Sequence, residues 1–390
     1  MAGPWASQIL ADLGADVVKV ERPRVGDDTR AWGPPYLRDS SGKAGTEAGY
    51  YLCVNRGKRS VTIDLNTPEG QNLVKALAVR SDILIENFKV GTLSKFGLGH
   101  SQLKDANPRL IYASITGFGQ TGPKAKAAAY DFMIQAMGGL MSVTGQRDDL
   151  PGGGPQKVGV PMVDLMSGMY ATVAVLAALA RRAETGMGDY IDIAMLDVQV
   201  AFLANQAMNY LVSGKVPGRS GNRHPNIQPQ DVFRCLEGHI ALAVGNDDQF
   251  VKFCGVIECP ELASDERYAR NADRVRNLRD LYAVIGPRLL TRGMAEWVTR
   301  LEAAGVPCAP INSIDAVLAE PQVLHRQMLR QLPHPAAGSV PQIVSPMRFA
   351  EAQLSFDRAP PLLGQHTEEI LRELGLSNDD IGALRSQNIV

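Results

Sequence analysis

The strongest constraint on how this chain can fold is the order of its first two hundred residues, where short apolar strands alternate with helical segments. Residues 2–13 (AGPWASQILADL) read as a helix, with Pro4 in the first turn, where its missing N–H is least needed, and Gly14 closing it. A strand at 16–20 (DVVKV) follows, then strands at 60–65 (SVTIDL), 82–86 (DILIE) and 109–115 (RLIYASI), with helices at 68–80 and near Thr92 between them. A long apolar helix at 165–182, closed by Gly186 and Gly188, leads to a strand at 190–195 in which Ile191, Ile193 and Met195 share one face. Parallel neighbours need crossover connections, and helical crossovers cover both faces of the sheet. The alternation therefore predicts an α/β, Rossmann-like fold with a mainly parallel sheet.

At 390 residues the chain exceeds one ordinary hydrophobic core, so two domains are expected. The texture changes at Gly214, through a polar, Pro-rich stretch (GKVPGRSGNRHPNIQPQD). A second unit is predicted beyond it, with a strand at 240–244, a helix around Phe250, and helices over 278–304 whose apolar face carries Leu281, Ile285 and Leu289. A Pro- and Gly-rich stretch at 332–346 leads to two C-terminal helices, the second opened by a capping box from Ser377 to Asp380.

Charge and cysteine usage exclude several classes of function. Lys plus Arg (40) balances Asp plus Glu (41), which gives no electrostatic reason to expect nucleic acid or an anionic membrane as partner. No unbroken apolar run reaches the eighteen or so residues of a membrane span, and Asp12 and Asp16 break the opening run, so no signal peptide is expected. Five scattered cysteines without a C-x-x-C pair fit buried thiols in a reducing cytoplasm. The six histidines have no metal-ligand spacing, so no metal is expected.

Two motifs compete for attention. Gly117, Gly119 and Gly122 spell G-x-G-x-x-G after a strand, as in a dinucleotide-binding turn. About twenty residues further on, where an acid would hold the ribose, the chain reads GGLMSV, and the strand is not the first of its sheet. A dehydrogenase is disfavoured on both counts, and no G-K-[ST] supports a P-loop. Asp164 stands at the start of the long apolar helix. There it serves either as an N-cap or as a carboxylate nucleophile approached over flanking glycines. Position alone leaves both roles open.

Nine ordered blocks bear on the choice. They are AGPWASQILADLGADVVKVERP at 2–23, GDDTR at 26–30, RGKRSVTIDLNTPEG at 56–70, ENFKVGTLSKFGL at 86–98, NPRLIYASITGFGQTGP at 107–123, AYDFMIQAMGGLMSVTG at 129–145, VGVPMVDLMSG at 158–168, TGMGDYIDIAMLD at 185–197 and LGQHTEEIL at 363–371. Together they resemble the family III CoA-transferases, which include formyl-CoA transferase and carnitine CoA-transferase. The resemblance implies an enzyme that moves CoA from an acyl-CoA donor to a free carboxylic acid, with Asp164 as nucleophile. The intermediates it implies are an aspartyl anhydride and an aspartyl-CoA thioester. CoA is then a substrate, and no tightly bound cofactor is expected. It further implies that Arg22 and Lys95 lie near the nucleotide, that Asn87, Phe88 and Tyr130 line the path to Asp164, and that Ala2 and Ile63 also bind CoA.

The same resemblance implies a large Rossmann-like domain from residues 1–200 and 346–390, a small α+β domain at 225–312, linkers at 201–224 and 313–345, and an interlocked cytoplasmic homodimer. Family members carry a strand before the AGP block, which is not in this sequence; an interrupted sheet beside residues 16–20 is expected as a result. The nearest alternative is an acyl-CoA racemase of the same fold. Such enzymes resemble the block at 129–131 but place a His proton carrier where this chain has Tyr130, and a phenol, with a pKa of about 10, is a poorer base. The segment GNRHPNIQPQDVF at 221–233 resembles members that use short dicarboxylates, with Arg223 and His224 as candidates for the distal carboxylate or as plain loop charges.

Overall fold

The computed structural model describes residues 1–390 and contains two compact units. The first comprises Met1–Leu140, Val158–Ala207 and Gln322–Val390, and the second Met141–Lys157 and Met208–Pro321.

The first unit is α/β, and its alternating strands pair in parallel as expected, in two sheets, with the interruption beside residues 16–20 where it was expected. Val17–Glu21 pairs with Lys58–Thr62, Val17 opposite Lys58. Ile83–Glu86 pairs with Ile111–Thr116, which pairs in turn with Tyr190–Ala194. No hydrogen-bond ladder joins the two sets. The helix Ala2–Asp12 touches both Val17–Glu21 and Ile83–Glu86, so packing continues where the ladder does not. Ile111–Thr116 is buried along its whole length, as a strand covered on both faces must be.

Directional polar contacts hold the Ala2–Asp12 helix in place. Arg56 forks onto Asp12 through Nε (2.9 Å) and Nη2 (2.6 Å). Lys58, fully enclosed, donates from Nζ to the carbonyls of Pro4 (2.9 Å) and Val54 (2.8 Å) and to Asn55 Oδ1 (2.9 Å). Burial with no carboxylate among its direct partners pushes its pKa well below that of a free lysine.

The long helix runs Met162–Thr185, three residues earlier than the sequence pattern suggested. Pro161 is the reason: a proline at the N-terminal boundary marks a helix start, because its missing N–H belongs to the turn that has no intrahelical partner. On length and composition this helix could cross a bilayer, which a count of unbroken apolar residues overlooks. Its inner face, Val163, Ala171 and Val175, is buried in the core.

Three elements escape the sequence pattern. The hairpins Tyr36–Arg38 with Ala44–Ala48, and Leu329–His334 with Gly338–Ile343, are antiparallel pairs. The second lies in stretches expected to be linker. It carries Pro333 and Pro341, which a two-stranded ribbon tolerates where the missing N–H would face away from its partner. The helix Ala204–Ser213 likewise occupies part of the stretch at 201–224. The G-x-G-x-x-G sequence is followed by turns, with the next helix only at Asp131–Met137, so it does not form a dinucleotide turn.

The second unit has a three-stranded antiparallel sheet in the order Cys308–Pro310, His239–Ala243, Gln230–Arg234. Its helices Leu278–Leu289 and Met294–Ala303 bury Leu281, Ile285, Leu289, Trp297 and Leu301 in one apolar cluster with Phe250 and Phe253.

Candidate active site

The N-cap of the Met162–Thr185 helix is Pro161, which has no capping side chain. Its first N–H groups find partners elsewhere. Met162 N–H donates to the Val160 carbonyl (2.8 Å), and the N–H groups of Val163 (2.7 Å) and Asp164 (3.2 Å) both donate to Asp131 Oδ1. The capping role open to Asp164 on sequence grounds therefore belongs to Asp131. Asp164 sits within the first turn, and its own carboxylate makes no contact that helix formation requires.

That carboxylate is 14% exposed, with the Met1 ammonium 3.8 Å from Oδ1. Burial pushes its pKa above the ordinary aspartate value, and the charge of Asp131 acts in the same direction, against the Met1 ammonium and the Ala2 N–H. An aspartate held this way is more basic than a free one and remains reachable.

Two glycines allow this arrangement. A Cβ at Gly168 would stand 2.8 Å from the Ala2 carbonyl oxygen and 3.0 Å from Trp5 Cδ1, so glycine is what lets the first turn of Ala2–Asp12 lie against the Asp164 helix. At Gly117 a Cβ would stand 2.2 Å from Ala129 Cβ, so its absence allows the segment leading to Tyr130 and Asp131 to pass over the end of the Ile111–Thr116 strand.

Of the residues singled out from sequence, Ala2 and Tyr130 adjoin groups that act on Asp164, while Asn87 lies beside Gly3 of the Ala2–Asp12 helix and Phe88 follows Asn87 in the chain. Ala2 is fully buried, and its carbonyl lies against the Gly168 position of the Asp164 helix. Asn87 follows the Ile83–Glu86 strand and donates to the Ile115 carbonyl (2.6 Å). It lies against Gly3, where a Cβ would stand 3.5 Å from Asn87 Cβ. Phe88 is 46% exposed and Tyr130 67% exposed, and Tyr130 directly precedes Asp131. Sequence reasoning misses two members. Asp131 is one; Tyr50 is the other, its phenol pushed up to about 12 by burial first and then by the charge of Asp164. The Tyr50 ring meets Trp32 edge-on at 5.1 Å.

The other candidates sit on other elements. Arg22 and Ile63 follow the paired strand ends Glu21 and Thr62, at the carboxyl end of the two-stranded parallel sheet. Arg22 is exposed, ion-paired to Asp28, and donates to the Gly26 carbonyl (3.3 Å). Ile63 is 1% exposed, and its side chain packs with Val61, Leu73 and Ile370, so only its main chain is left for a ligand. Lys95 is exposed in the last turn of Thr92–Lys95. Cys53 is exposed, unlike the buried thiol expected of it.

In the second unit, Arg223 is ion-paired to Asp231 at 3.5 Å and lies over the Tyr282 ring at 5.1 Å. His224 Nδ1 accepts from the N–H groups of Asn226 and Ile227, both at 3.1 Å, so His224 shapes its own loop.

The chain as a whole, an α/β fold of parallel sheets with a partly buried carboxylate at a helix start, is similar to several known proteins. The succinate–glutarate CoA-transferase of Agrobacterium fabrum is 46% identical over 96% of this chain and 92% of its own length. The human succinyl-CoA:glutarate CoA-transferase is 41% identical over 100% of this chain and 87% of its own. A CAIB/BAIF family protein from Brucella suis superposes with a TM-score of 0.83 at 47% identity, covering 96% of both chains. The model of CoA-transferase family III matches residues 1–367, and the chain belongs to that family.

Proposed function

We propose that this CoA-transferase moves CoA from succinyl-CoA to a dicarboxylic acid of the glutarate class, with Asp164 as the covalent relay. The observation that carries the reading is the freedom of the Asp164 carboxylate: the N–H groups at its helix start are capped by Asp131, and burial keeps its carboxylate basic. The named relatives, at 46% and 41% identity, supply the substrate pair.

In this mechanism an Asp164 oxygen attacks the succinyl carbonyl, the C–S bond breaks, and CoA leaves as thiolate with the bonding electrons. The thiolate then attacks the Asp164 side-chain carbonyl of the mixed anhydride, releasing succinate and leaving an aspartyl-CoA thioester. The acceptor carboxylate displaces CoA thiolate to form a second anhydride. Attack of the thiolate on the acceptor's acyl carbon gives the new acyl-CoA and restores the Asp164 carboxylate. Each displacement replaces one activated acyl bond by another, which is what a carboxylate nucleophile makes possible.

Arg22, Lys95 and the main chain at Ile63 are assigned to the nucleotide end of CoA, and Ala2, Asn87, Phe88 and Tyr130 to the path toward Asp164. The working unit is a homodimer: Met169 (41%), Val173 (61%) and Leu176 (42%) form an exposed apolar stripe at helical spacing, suited to cover by a second copy.

Incubation with succinyl-CoA and a panel of free acids, with the CoA esters resolved by mass, tests the reading. Glutaryl-CoA or the ester of another short dicarboxylate is expected as the main product. New esters formed only from monocarboxylic acids would overturn the substrate assignment.

A further inference from the structure

Asp131 bonds to the first turn of the Asp164 helix across 33 residues of sequence. One oxygen, Oδ1, takes both N–H groups, from Val163 at 2.7 Å and from Asp164 at 3.2 Å. The other, Oδ2, accepts from Gln135 Nε2 at 2.6 Å, one turn along its own helix. Gln135 is fully buried, and its Oε1 accepts the Val158 N–H at 2.9 Å, so the segment leading into the Asp164 helix is tied to the same side chain. Both ends of the amide are engaged, and Asp131 is held in one orientation.

A neutral serine or asparagine caps a helix as well as an aspartate does. The use of a charged group here has a second effect. It places a negative charge beside a carboxylate that is already largely removed from solvent, where such a charge is poorly screened. It also takes the two N–H groups through which the positive end of the helix would stabilise an anion in the first turn.

We propose that Asp131 is a positioning residue for the acyl-transfer steps: it fixes the backbone carrying Asp164 and, by its charge, favours the uncharged acylated forms of Asp164 over the free carboxylate. The charge balance is direct. When Asp164 attacks the thioester carbonyl and the C–S bond breaks, the negative charge leaves Asp164 and departs on CoA thiolate, so the anhydride no longer faces Asp131 as a like charge. The same holds for the aspartyl-CoA thioester. Asp131 acts on the reaction through Asp164 and makes no bond to substrate.

The inference rests on Asp164 being the nucleophile, and the test separates the two. Asp131→Asn keeps a side-chain oxygen for the two N–H groups and removes the charge, whereas Asp131→Ala removes both. Acylation is followed by trapping the Asp164 acyl group with hydroxylamine during incubation with succinyl-CoA and timing the appearance of hydroxamate on the Asp164 peptide. For Asp131→Asn the trapping rate and kcat are expected to fall about ten- to a hundredfold, with KM for succinyl-CoA within about threefold of wild type and thermal stability nearly unchanged. Asp131→Ala is expected to lose stability as well. If wild-type protein carries no hydroxamate at Asp164, the nucleophile reading fails and this inference with it. If wild type is labelled there and Asp131→Asn is labelled as fast, the nucleophile stands and the role of Asp131 is refuted. Equal losses of stability and rate in both variants would reduce Asp131 to a cap.

Discussion

The two units are stabilised by different means. The second has one contiguous apolar cluster, with Trp297, Phe250, Phe253, Leu281 and Leu301 each at most 1% exposed. Its one fully buried cation, Arg274, lies over the Phe250 ring at 4.4 Å and is satisfied by Asp247 and by the carbonyls of Gln228 and Tyr268. The first unit divides its apolar residues among several clusters. Between them it buries Arg30 against Glu21 and Glu47, Arg56 against Asp12, and Lys58 among carbonyls. Apolar burial is favourable but indifferent to angle. Buried ion pairs add little net stability, yet they specify geometry, because a displaced partner leaves an unpaired charge in a poorly solvating interior. The catalytic aspartate proposed above belongs to the unit that relies on directional contacts, and the Arg56 and Lys58 contacts locate the helix whose first turn meets it.

If this contrast is right, damage to the two units should read out differently. The largest effect is expected from Asp164→Asn: turnover falls by about 10⁴-fold or more, since an amide cannot form the anhydride, while thermal stability at neutral pH is equal to or above wild type. The sign follows from the raised pKa of Asp164. A carboxyl whose folded pKa lies above its unfolded value favours the fold while protonated, and that contribution is lost as pH rises through the folded pKa. Near neutral pH the ionised Asp164 therefore disfavours folding, and the neutral amide removes the cost. The same shift predicts that activity declines on acidification through an apparent pKa above 3.8, measurable as a pH–rate profile.

Trp297→Ala should do the reverse in the second unit. Trp297 is 1% exposed, and its Nε1 donates to the Leu289 carbonyl at 2.8 Å; truncation is expected to cost about 3–5 kcal/mol of stability by denaturant or thermal unfolding. A neutral outcome would mean that this core is not what holds the second unit. The smallest effect is expected from Arg22→Gln. Arg22 is exposed and its ion pair with Asp28 contributes little to the fold, so stability should hold while KM for CoA thioesters rises about three- to tenfold and KM for the free acid stays level. Equal changes in both would remove Arg22 from the nucleotide end.

Local signals carry far into this structure. The helix at 68–80 is legible to its observed bounds, Pro68–Arg80, because Thr67 caps it and Pro68 opens it. The capping box at Ser377 and Asp380 is present as expected. The failures are non-local or concern context. Asp131 lies 33 residues from the N–H it caps at Asp164, and no spacing rule links them. Tyr50 reaches the site through the fold, with no motif around it. The interruption between the parallel sheets, by contrast, is expected from the family resemblance, although alternation alone does not specify it. The start of the Asp164 helix is within reach of the sequence: Pro161 is the signal, and the apolar run draws attention past it. Asp164 itself is open between cap and nucleophile on spacing, and family resemblance favours the nucleophile. The hydrogen bonds of Asp131 give a physical reason to set the cap reading aside.

The most direct measurement is the site of covalent labelling. Wild-type protein incubated with succinyl-CoA and hydroxylamine, then digested and analysed by peptide mass, is expected to lose activity and to carry a hydroxamate on the peptide containing Asp164, at Asp164 itself. Asp164→Asn treated in parallel is expected to carry none. A hydroxamate at Asp131 or Asp197, or wild-type protein that turns over under these conditions with no label at all, would contradict the assignment of Asp164 as the residue that carries the acyl group.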